Sequence, residues 1–248
     1  MENNAPHYID GPHGRLAYRM QEGAGPTLVW LGGYASDMLG TKAEALAAYA
    51  SQTEQSYLRF DYSGHGESDG TFEDLVLSDW LSDSRIMLDT KAPGRKLLIG
   101  SSMGAWITLL LALQKPEEIA GIVLIAPAPD FTERLVWPRL PEQHRKAVLE
   151  DGLVRTGPTG HDSETFTKAL FDDGRTHLLM DGPIALPCPV RILQGTADVP
   201  VPTQHALDLA ELIEAQSVVT TLVKGGDHRL SEPSDLERLV RTVAELIH

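Results

Sequence analysis

The chain has 248 residues, of which 42% are hydrophobic and 23% charged, and 21 basic against 35 acidic side chains give a formal net charge of −14. This composition is ordinary for a globular protein, and no apolar run approaches the ~20 residues that a bilayer span requires. The acidic balance disfavours nucleic acid and anionic lipid surfaces as partners.

Short β-like runs alternate with longer helical runs, which is typical of βαβ units and a mostly parallel sheet flanked by helices. Strands are predicted at residues 16–20, 27–31, 57–61, 96–100, 121–125, 190–194 and 218–224. Helices are predicted at residues 41–50, 75–88, 105–111, 203–214 and 232–247. The helix at 75–88 is amphipathic, and its Asp and Ser positions are expected to face water.

The alternation breaks between Ala126 and Pro187, where prolines separate short helical pieces such as 141–151 and 163–171. Sixty residues without a strand pattern are too long for an ordinary connection and indicate a lid or cap. We therefore expect one domain over residues 1–248 with a helical cap insertion at 127–187.

The run Gly100-Ser101-Ser102-Met103-Gly104 lies between a predicted strand and a helix. A G-x-S-x-G pentapeptide in this setting makes a sharp turn that lifts the central serine out of the sheet. Ser102 is the candidate nucleophile. The alternative is that the glycines and serines only turn the chain.

A serine nucleophile needs a histidine to take its proton and a carboxylate to fix the tautomer of that histidine. His228 lies in the loop after the last predicted strand. Loops at the carboxyl ends of parallel strands gather around a functional site, so His228 is the candidate base. The other histidines outside the glycine-rich loop are each expected to be solvated rather than to act as the base: His7, His13, His144, His161, His177, His205 and His248. Asp198, after the strand at 190–194, is the candidate acid. Asp130 is its main competitor, and Asp227 is discounted because neighbouring side chains diverge.

The negative oxygen of a tetrahedral intermediate needs hydrogen-bond donors waiting for it. One expected donor is the backbone N–H of Met103, at the start of the helix after Ser102. The second is the amide of Tyr34, since Gly32-Gly33 lets the backbone approach closely there. A simple turn would use the same glycine pair.

Other motifs point away from cofactors. The glycine-rich loop 61–68 has neither G-x-G-x-x-G nor the ending of a P-loop, and no H-E-x-x-H cluster is present. His65 in this loop is interpreted as structural rather than substrate-binding. Cys188 is the only cysteine, which excludes an internal disulfide, and we interpret it as a small residue at a strand entry.

Three runs together resemble the α/β-hydrolase superfamily over essentially the whole chain. They are Arg59-Phe60-Asp61-Tyr62-Ser63-Gly64 with Ser68-Asp69-Gly70, then residues 100–106, and then Asp227-His228-Arg229. Within the superfamily they are similar to mycophenolic acid acyl-glucuronide esterases and palmitoyl-protein (acyl-protein) thioesterases. The resemblance places the catalytic serine, aspartate and histidine on Ser102, Asp198 and His228.

The expected reaction is hydrolysis of carboxylic esters or thioesters through an acyl-enzyme, without cofactor or metal. The substrate would be a small acyl ester or thioester, or an acylated protein. The same scaffold also supports carbon–carbon hydrolase, peptidase or peroxidase chemistry, or a non-catalytic ligand-binding function. The oligomeric state is left open.

Substrate preference is expected to come from the cap. Its basic side chains could bind a carboxylate in the leaving group or form a solvated face with Glu142 and Lys146 paired: Arg134, Arg139, Arg145, Lys146 and Arg155. Its apolar side chains could line an acyl pocket or anchor the cap: Phe131, Leu135, Val136, Trp137 and Phe171. The first residues have no Arg-rich or signal pattern, so a cytoplasmic location is expected.

Overall fold

A mostly parallel eight-stranded sheet is the framework of the computed structural model, which describes residues 5–157 and 164–247. The strands are β1 (His7–Gly11), β2 (Gly14–Gln21), β3 (Ala24–Leu31), β4 (Gln55–Phe60), β5 (Lys96–Ser101), β6 (Ile119–Ile125), β7 (Leu153–Thr156), β8 (Glu164–Thr167), β9 (Ile184–Ala185), β10 (Val190–Gly195), β11 (Ile213–Glu214) and β12 (Val218–Val223).

The α-helices are α1 (Thr41–Thr53), α2 (Leu77–Lys91), α3 (Met103–Gln114), α4 (Glu142–Asp151), α5 (Lys168–Gly174), α6 (Thr203–Leu212) and α7 (Pro233–Ile247). Single 3₁₀ turns lie at Phe72–Asp74, Pro116–Glu118, Trp137–Arg139 and Arg175–His177, and a π-helical turn lies at Thr132–Val136.

The strand order is β1-β2-β4-β3-β5-β6-β10-β12. The pairs β1–β2 and β2–β4 are antiparallel, and every pair from β4 to β12 is parallel. Because parallel strands point the same way, the loops after β3, β5, β6, β10 and β12 meet at one edge of the sheet.

Both faces of the sheet are covered, so the central strands are continuously apolar. Leu98 of β5 faces a core shared with α2, α3 and α6, in which Trp80 and Trp106 are completely buried. Leu97 and Ile99, on the opposite side of the pleat, face a second core formed with α1 and α7. The sheet is therefore held rigidly between two helical layers.

The predicted α/β-hydrolase fold class is confirmed, and the predicted strands and helices are present with shifts of a few residues at their ends. The strands β1 and β11 are additional, as are β7, β8 and β9 in the insertion between β6 and β10. The expectation that the Asp and Ser positions of α2 face water is wrong for Asp83 and Ser84, which are both fully buried. Asp83 accepts a hydrogen bond from the backbone N–H of Ser63 at 2.8 Å, and the Ser84 hydroxyl donates to the carbonyl of Trp80.

The insertion between β6 and β10, which we call the cap segment (residues 127–157 and 164–187), is not purely helical. Its helix α4 agrees with the prediction for 141–151. The helix predicted at 163–171 is wrong over Glu164–Thr167, because those residues form β8 and pair with β7 as an antiparallel hairpin. Ser163 lies outside the described residues. Nowhere in the described ranges does the structure contain a helix with the length and apolarity needed to cross a membrane.

Candidate active site

Ser102 lies at the tight turn between β5 and α3. Its backbone has φ 54° and ψ −118°, a strained conformation for a residue with a side chain. The flanking glycines are required by close contacts. A Cβ at Gly100 would lie 2.4 Å from the carbonyl oxygen of Gly104, and a Cβ at Gly104 would lie 2.1 Å from that of Leu31. The turn presents the Ser102 hydroxyl at the carboxyl end of β5.

Three side chains distant in sequence form one hydrogen-bonded chain at this edge of the sheet. Ser102 Oγ lies 3.1 Å from His228 Nε2, and His228 Nδ1 lies 2.8 Å from Asp198 Oδ2. Because a carboxylate only accepts, Nδ1 carries the proton donated to Asp198, and the Nε2 lone pair faces the Ser102 hydroxyl. In this arrangement an imidazole can remove the proton of a serine.

Asp198 is fixed by further hydrogen bonds. Its Oδ1 accepts from the backbone N–H of Val201 at 2.7 Å, and its Oδ2 accepts from Gln194 Nε2 at 3.2 Å. The Asp198 side chain is completely buried, whereas that of His228 is 27% exposed. The carboxylate is therefore immobile and the imidazole remains reachable. The sequence analysis misses Gln194, although a polar side chain at the end of an apolar strand is a signal that it has a buried partner.

The two competing acids have other partners. Asp130 is completely buried, and its oxygens accept from the backbone N–H groups of Leu179 and Met180, both at 2.8 Å. Its carboxylate therefore joins the beginning of the cap segment to a later part of the same segment. Asp227 Oδ1 accepts from the backbone N–H groups of Arg229 and Leu230. Neither carboxylate hydrogen-bonds to the imidazole of His228.

The prediction that His205 is solvated is wrong. His205 is buried on α6, its Nε2 lies 3.0 Å from the carbonyl oxygen of Pro129, and burial lowers its pKa. His177 is also partnered, with its Nε2 2.7 Å from Ser78 Oγ. His161 and His248 lie outside the described residues.

The two predicted oxyanion donors flank Ser102. Met103 is the first residue of α3, so its N–H is among those that have no acceptor within the helix. Tyr34 lies in the loop after β3 and lines the same cavities as Ser102 and His228. Both positions are compatible with the predicted role, which stays a prediction.

The side chain of Tyr34 joins this loop to the cap segment. Its hydroxyl donates to the carbonyl of Thr165, and its ring stacks on Phe166 of β8 with the centroids 5.6 Å apart. Its ring also meets Phe72 and Phe131, and burial raises its pKa well above its usual range. The Tyr34 hydroxyl therefore points to the cap segment, where it is hydrogen-bonded to the carbonyl of Thr165.

Tyr34→Phe is expected to lower the free energy of unfolding by about 1–2 kcal/mol, because the Thr165 carbonyl loses its donor. The kcat for an ester substrate should change less than about fivefold, since the backbone N–H of Tyr34 is retained. Denaturant titration and steady-state kinetics measure both. Tyr57→Phe is the matched control, because the Tyr57 hydroxyl also donates to a carbonyl, that of Ala43, away from the site. A drop in kcat of about 10²-fold or more would assign the oxyanion contact to the hydroxyl instead.

His65 stabilises the loop after β3, which agrees with its interpretation as a structural residue. Its Nε2 accepts from the backbone N–H of Ala35 at 3.2 Å, and its Nδ1 lies 3.2 Å from the carbonyl oxygen of Ser63. Its ring packs edge-on against Phe72 and Trp80. Burial lowers the pKa of His65 to about 4, so the folded protein holds it neutral.

This burial predicts a loss of stability at low pH. The unfolded chain binds a proton at His65 below pH 6.5, whereas the folded protein binds it only near pH 4. The stabilisation is therefore complete above pH 6.5 and is lost as the pH falls toward 4, by about 3 kcal/mol. His65→Gln, which cannot titrate, should lose less stability over this range. Denaturant titrations from pH 7 to pH 4 test this, and parallel curves for the two proteins would contradict it.

A mainly apolar pocket of about 430 Å³ opens at Ser102. Core side chains such as Met103 form one wall, and Leu135, Val136 and Leu140 of the cap segment form another. This size and character are typical of pockets that enclose an apolar ligand. Phe131 also lines the pocket. Trp137 and Phe171 instead pack against each other within the cap segment, with their ring centroids 5.1 Å apart.

The basic side chains of the cap segment are largely engaged with the protein itself. Arg134 pairs with Asp130 and Asp181, and Arg155 pairs with Glu73. Arg145 donates to the carbonyl of Pro138, and Arg139, which borders the pocket, donates to the carbonyls of Val199 and Pro200. Lys146 lies 3.7 Å from Glu150, so its expected pairing with Glu142 is wrong.

Cys188 is buried, and burial raises the pKa of its thiol to about 11, which agrees with its structural interpretation. In the part of the chain that the structure describes, no group of three or more His, Cys, Asp or Glu side chains could hold a metal ion.

Comparison with known proteins identifies the fold family. A family model for the alpha/beta hydrolase fold matches residues 26–170. The mitochondrial palmitoyl-protein thioesterase ABHD10 of Mus musculus is 34% identical over 235 residues, which cover 94% of this chain and 78% of that protein.

Solved structures agree with this assignment. A crystal structure of an Agrobacterium vitis S4 protein has a TM-score of 0.94 and 42% identity, covering 98% of each chain. Mouse alpha/beta hydrolase domain-containing protein 10 has a TM-score of 0.89 and 32% identity, also covering 98% of each chain. The matched family model and these relatives show that the chain belongs to the alpha/beta hydrolase fold family.

Proposed function

We propose that this protein hydrolyses fatty acyl thioesters and esters through an acyl-enzyme on Ser102, with Asp198 and His228 completing a catalytic triad. That the chain is a hydrolase of ester or thioester bonds follows from its family and its relatives. The observation that carries the residue assignment is the continuous contact from Ser102 Oγ through His228 to Asp198, at 3.1 Å and 2.8 Å.

In the first half-reaction His228 Nε2 takes the Ser102 proton while the oxygen attacks the acyl carbon. The buried Asp198 carboxylate stabilises the imidazolium that forms. The N–H groups of Met103 and Tyr34 stabilise the negative carbonyl oxygen. The leaving thiolate or alkoxide then takes the proton from His228 Nε2 and departs, which leaves the acyl group on Ser102.

In the second half-reaction a water molecule replaces the leaving group. His228 takes its proton, the hydroxide attacks the acyl-enzyme, and the same two N–H groups stabilise the oxyanion again. Collapse returns the proton to Ser102 and releases the carboxylic acid. No step requires a group from outside the chain other than water.

The apolar pocket supports a fatty acyl group as the part of the substrate that is retained. Burying methylene groups against Leu135, Val136 and Leu140 is favourable by about 0.8 kcal/mol for each methylene. The mouse relative is named a palmitoyl-protein thioesterase, which supports an acylated protein as the substrate. Its name also places it in mitochondria, and the cytoplasmic location of this chain stays a prediction.

A substrate series tests the proposal. The protein is mixed with p-nitrophenyl esters and pantetheine thioesters whose acyl chains have about two to sixteen carbons. This range of lengths includes chains too short to fill the pocket and chains long enough to do so. We expect kcat/KM to rise with chain length until the pocket is full. Failure to hydrolyse any ester or thioester in the series would contradict the proposal.

A further inference from the structure

We propose that a second, polar compartment beside Ser102 binds the leaving group, and that Arg229 and Lys42 there select leaving groups carrying a carboxylate or a phosphate. This inference deepens the proposed function and rests on it, because it requires Ser102 to be the nucleophile.

The compartment is a groove of about 560 Å³ formed mainly by loops of the core. Its polar side chains come from the loop after β3, from the first turn of α1 and from the segment after His228: Ser36, Asp37, Thr41, Lys42, Arg229 and Ser231. We call it the polar groove. It therefore differs sharply in chemistry from the apolar pocket.

The two compartments meet at the reacting atoms. Tyr34, Ser102, Glu164 and His228 line both of them. A carbonyl carbon positioned for attack by Ser102 consequently has the apolar pocket on one side and the polar groove on the other. A fatty acyl chain that occupies the pocket places its leaving group in the groove.

Neither cation of the groove, Lys42 or Arg229, forms an ion pair with a carboxylate among the described residues. Arg229 is exposed. Lys42 donates from Nζ to the backbone carbonyl of Arg229, and both residues line the groove. Burial lowers the pKa of Lys42 to about 8, and the charge of Arg229 acts in the same direction.

Two of the nearby carboxylates accept hydrogen bonds from the backbone. Asp37 accepts the backbone N–H of Leu39 at 2.8 Å. Asp227 accepts two backbone N–H groups, while its charge and that of Asp235 raise the pKa of Lys42. Glu164 stands at the junction with the apolar pocket. A bound carboxylate or phosphate would receive charge-assisted hydrogen bonds from Arg229. Its negative charge would also reduce the electrostatic repulsion between Arg229 and Lys42.

Two matched pairs of thioesters test this inference. The carboxylate pair is S-octanoyl thioglycolate and S-octanoyl thioglycolamide. The phosphate pair is S-octanoyl 2-mercaptoethyl phosphate and S-octanoyl 2-mercaptoethanol. In at least one pair we expect kcat/KM for the anionic member to exceed that for the neutral member by about tenfold, the scale of one charge-assisted hydrogen bond.

Arg229→Gln should bring that ratio within about twofold of one, and Arg229→Lys should retain part of the preference. Arg241→Gln is the control, because it removes the same charge from an exposed site on α7 outside the groove. Labelling of Ser102 by a fluorophosphonate reports that each variant keeps its active site.

The outcomes separate the two proposals. Hydrolysis of none of the four thioesters would overturn the proposed function and this inference together. Hydrolysis with equal kcat/KM within both pairs would overturn the inference alone, as would an equal loss of preference in Arg229→Gln and Arg241→Gln. The pair that shows the preference identifies the anion as carboxylate or phosphate.

Discussion

Ser102→Ala is expected to reduce kcat for a p-nitrophenyl ester by about 10⁴- to 10⁶-fold, the scale of losing a serine nucleophile whose histidine and oxyanion donors remain. The variant has no hydroxyl to form the acyl-enzyme, and His228 then has only water to activate. The residual rate should come from binding and from the N–H groups of Met103 and Tyr34. Steady-state kinetics with a stopped assay at high enzyme concentration measure it.

The fold should survive this change, since the methyl group of alanine fits where the serine Cβ lies. The strained φ of 54° belongs to the backbone and is retained. Ser51→Ala, at an exposed position near the end of α1, is the matched control and should keep full activity. A Ser102→Ala variant with activity within about tenfold of the parent protein would remove the nucleophile assignment.

Asp198→Asn is expected to lower kcat by about 10⁴-fold at neutral pH. The amide is nearly isosteric and keeps the contact with the Val201 N–H through its oxygen. Its NH₂ group, however, donates to His228 Nδ1, which forces the proton of the imidazole onto Nε2. An Nε2–H cannot accept the proton of Ser102.

Asp130→Asn is the matched control for this variant, because Asp130 is the main competing acid and also follows a parallel strand. Its amide would face the N–H of Leu179 or Met180, so the free energy of unfolding should fall by about 1–3 kcal/mol. The kcat of the folded variant should remain within about tenfold. The reverse pattern, an active Asp198→Asn and an inactive Asp130→Asn, would exchange the two roles.

The sequence predicts the sheet well because strands buried on both faces read as continuous apolar runs, as in Leu97-Leu98-Ile99. The turn at Ser102 is also predictable from the sequence, because it requires glycine at two positions. A Cβ at Gly100 would collide with the backbone of Gly104, and a Cβ at Gly104 would collide with the backbone of Leu31. The order of the motifs follows from the loops meeting at one edge of the sheet.

The errors have a common physical origin. Asp83 and His205 were expected at the surface, but each has a buried partner on a distant segment, and such long-range partners leave no periodic signal. Ser84 was also expected there, but its hydroxyl donates within α2 to the carbonyl of Trp80, which satisfies it in a buried position. The hairpin of β7 and β8 is likewise stabilised by pairing between segments that are individually short. The contact of the Tyr34 hydroxyl with Thr165 joins residues 131 positions apart.

The roles of Asp198 over Asp130, and of Met103 and Tyr34 as donors, stay predictions that the variants above test. The structure favours Asp198 as the acid, because among the three candidate aspartates its carboxylate is the one that hydrogen-bonds to the His228 imidazole.

The most direct test of the central claim is to locate the covalent adduct of a fluorophosphonate by peptide mass mapping. We predict a single adduct on Ser102, formed rapidly by the parent protein, about 10³-fold or more slowly by His228→Gln, and not at all by Ser102→Ala. An adduct on another residue, or equal labelling of Ser102→Ala, would contradict the account.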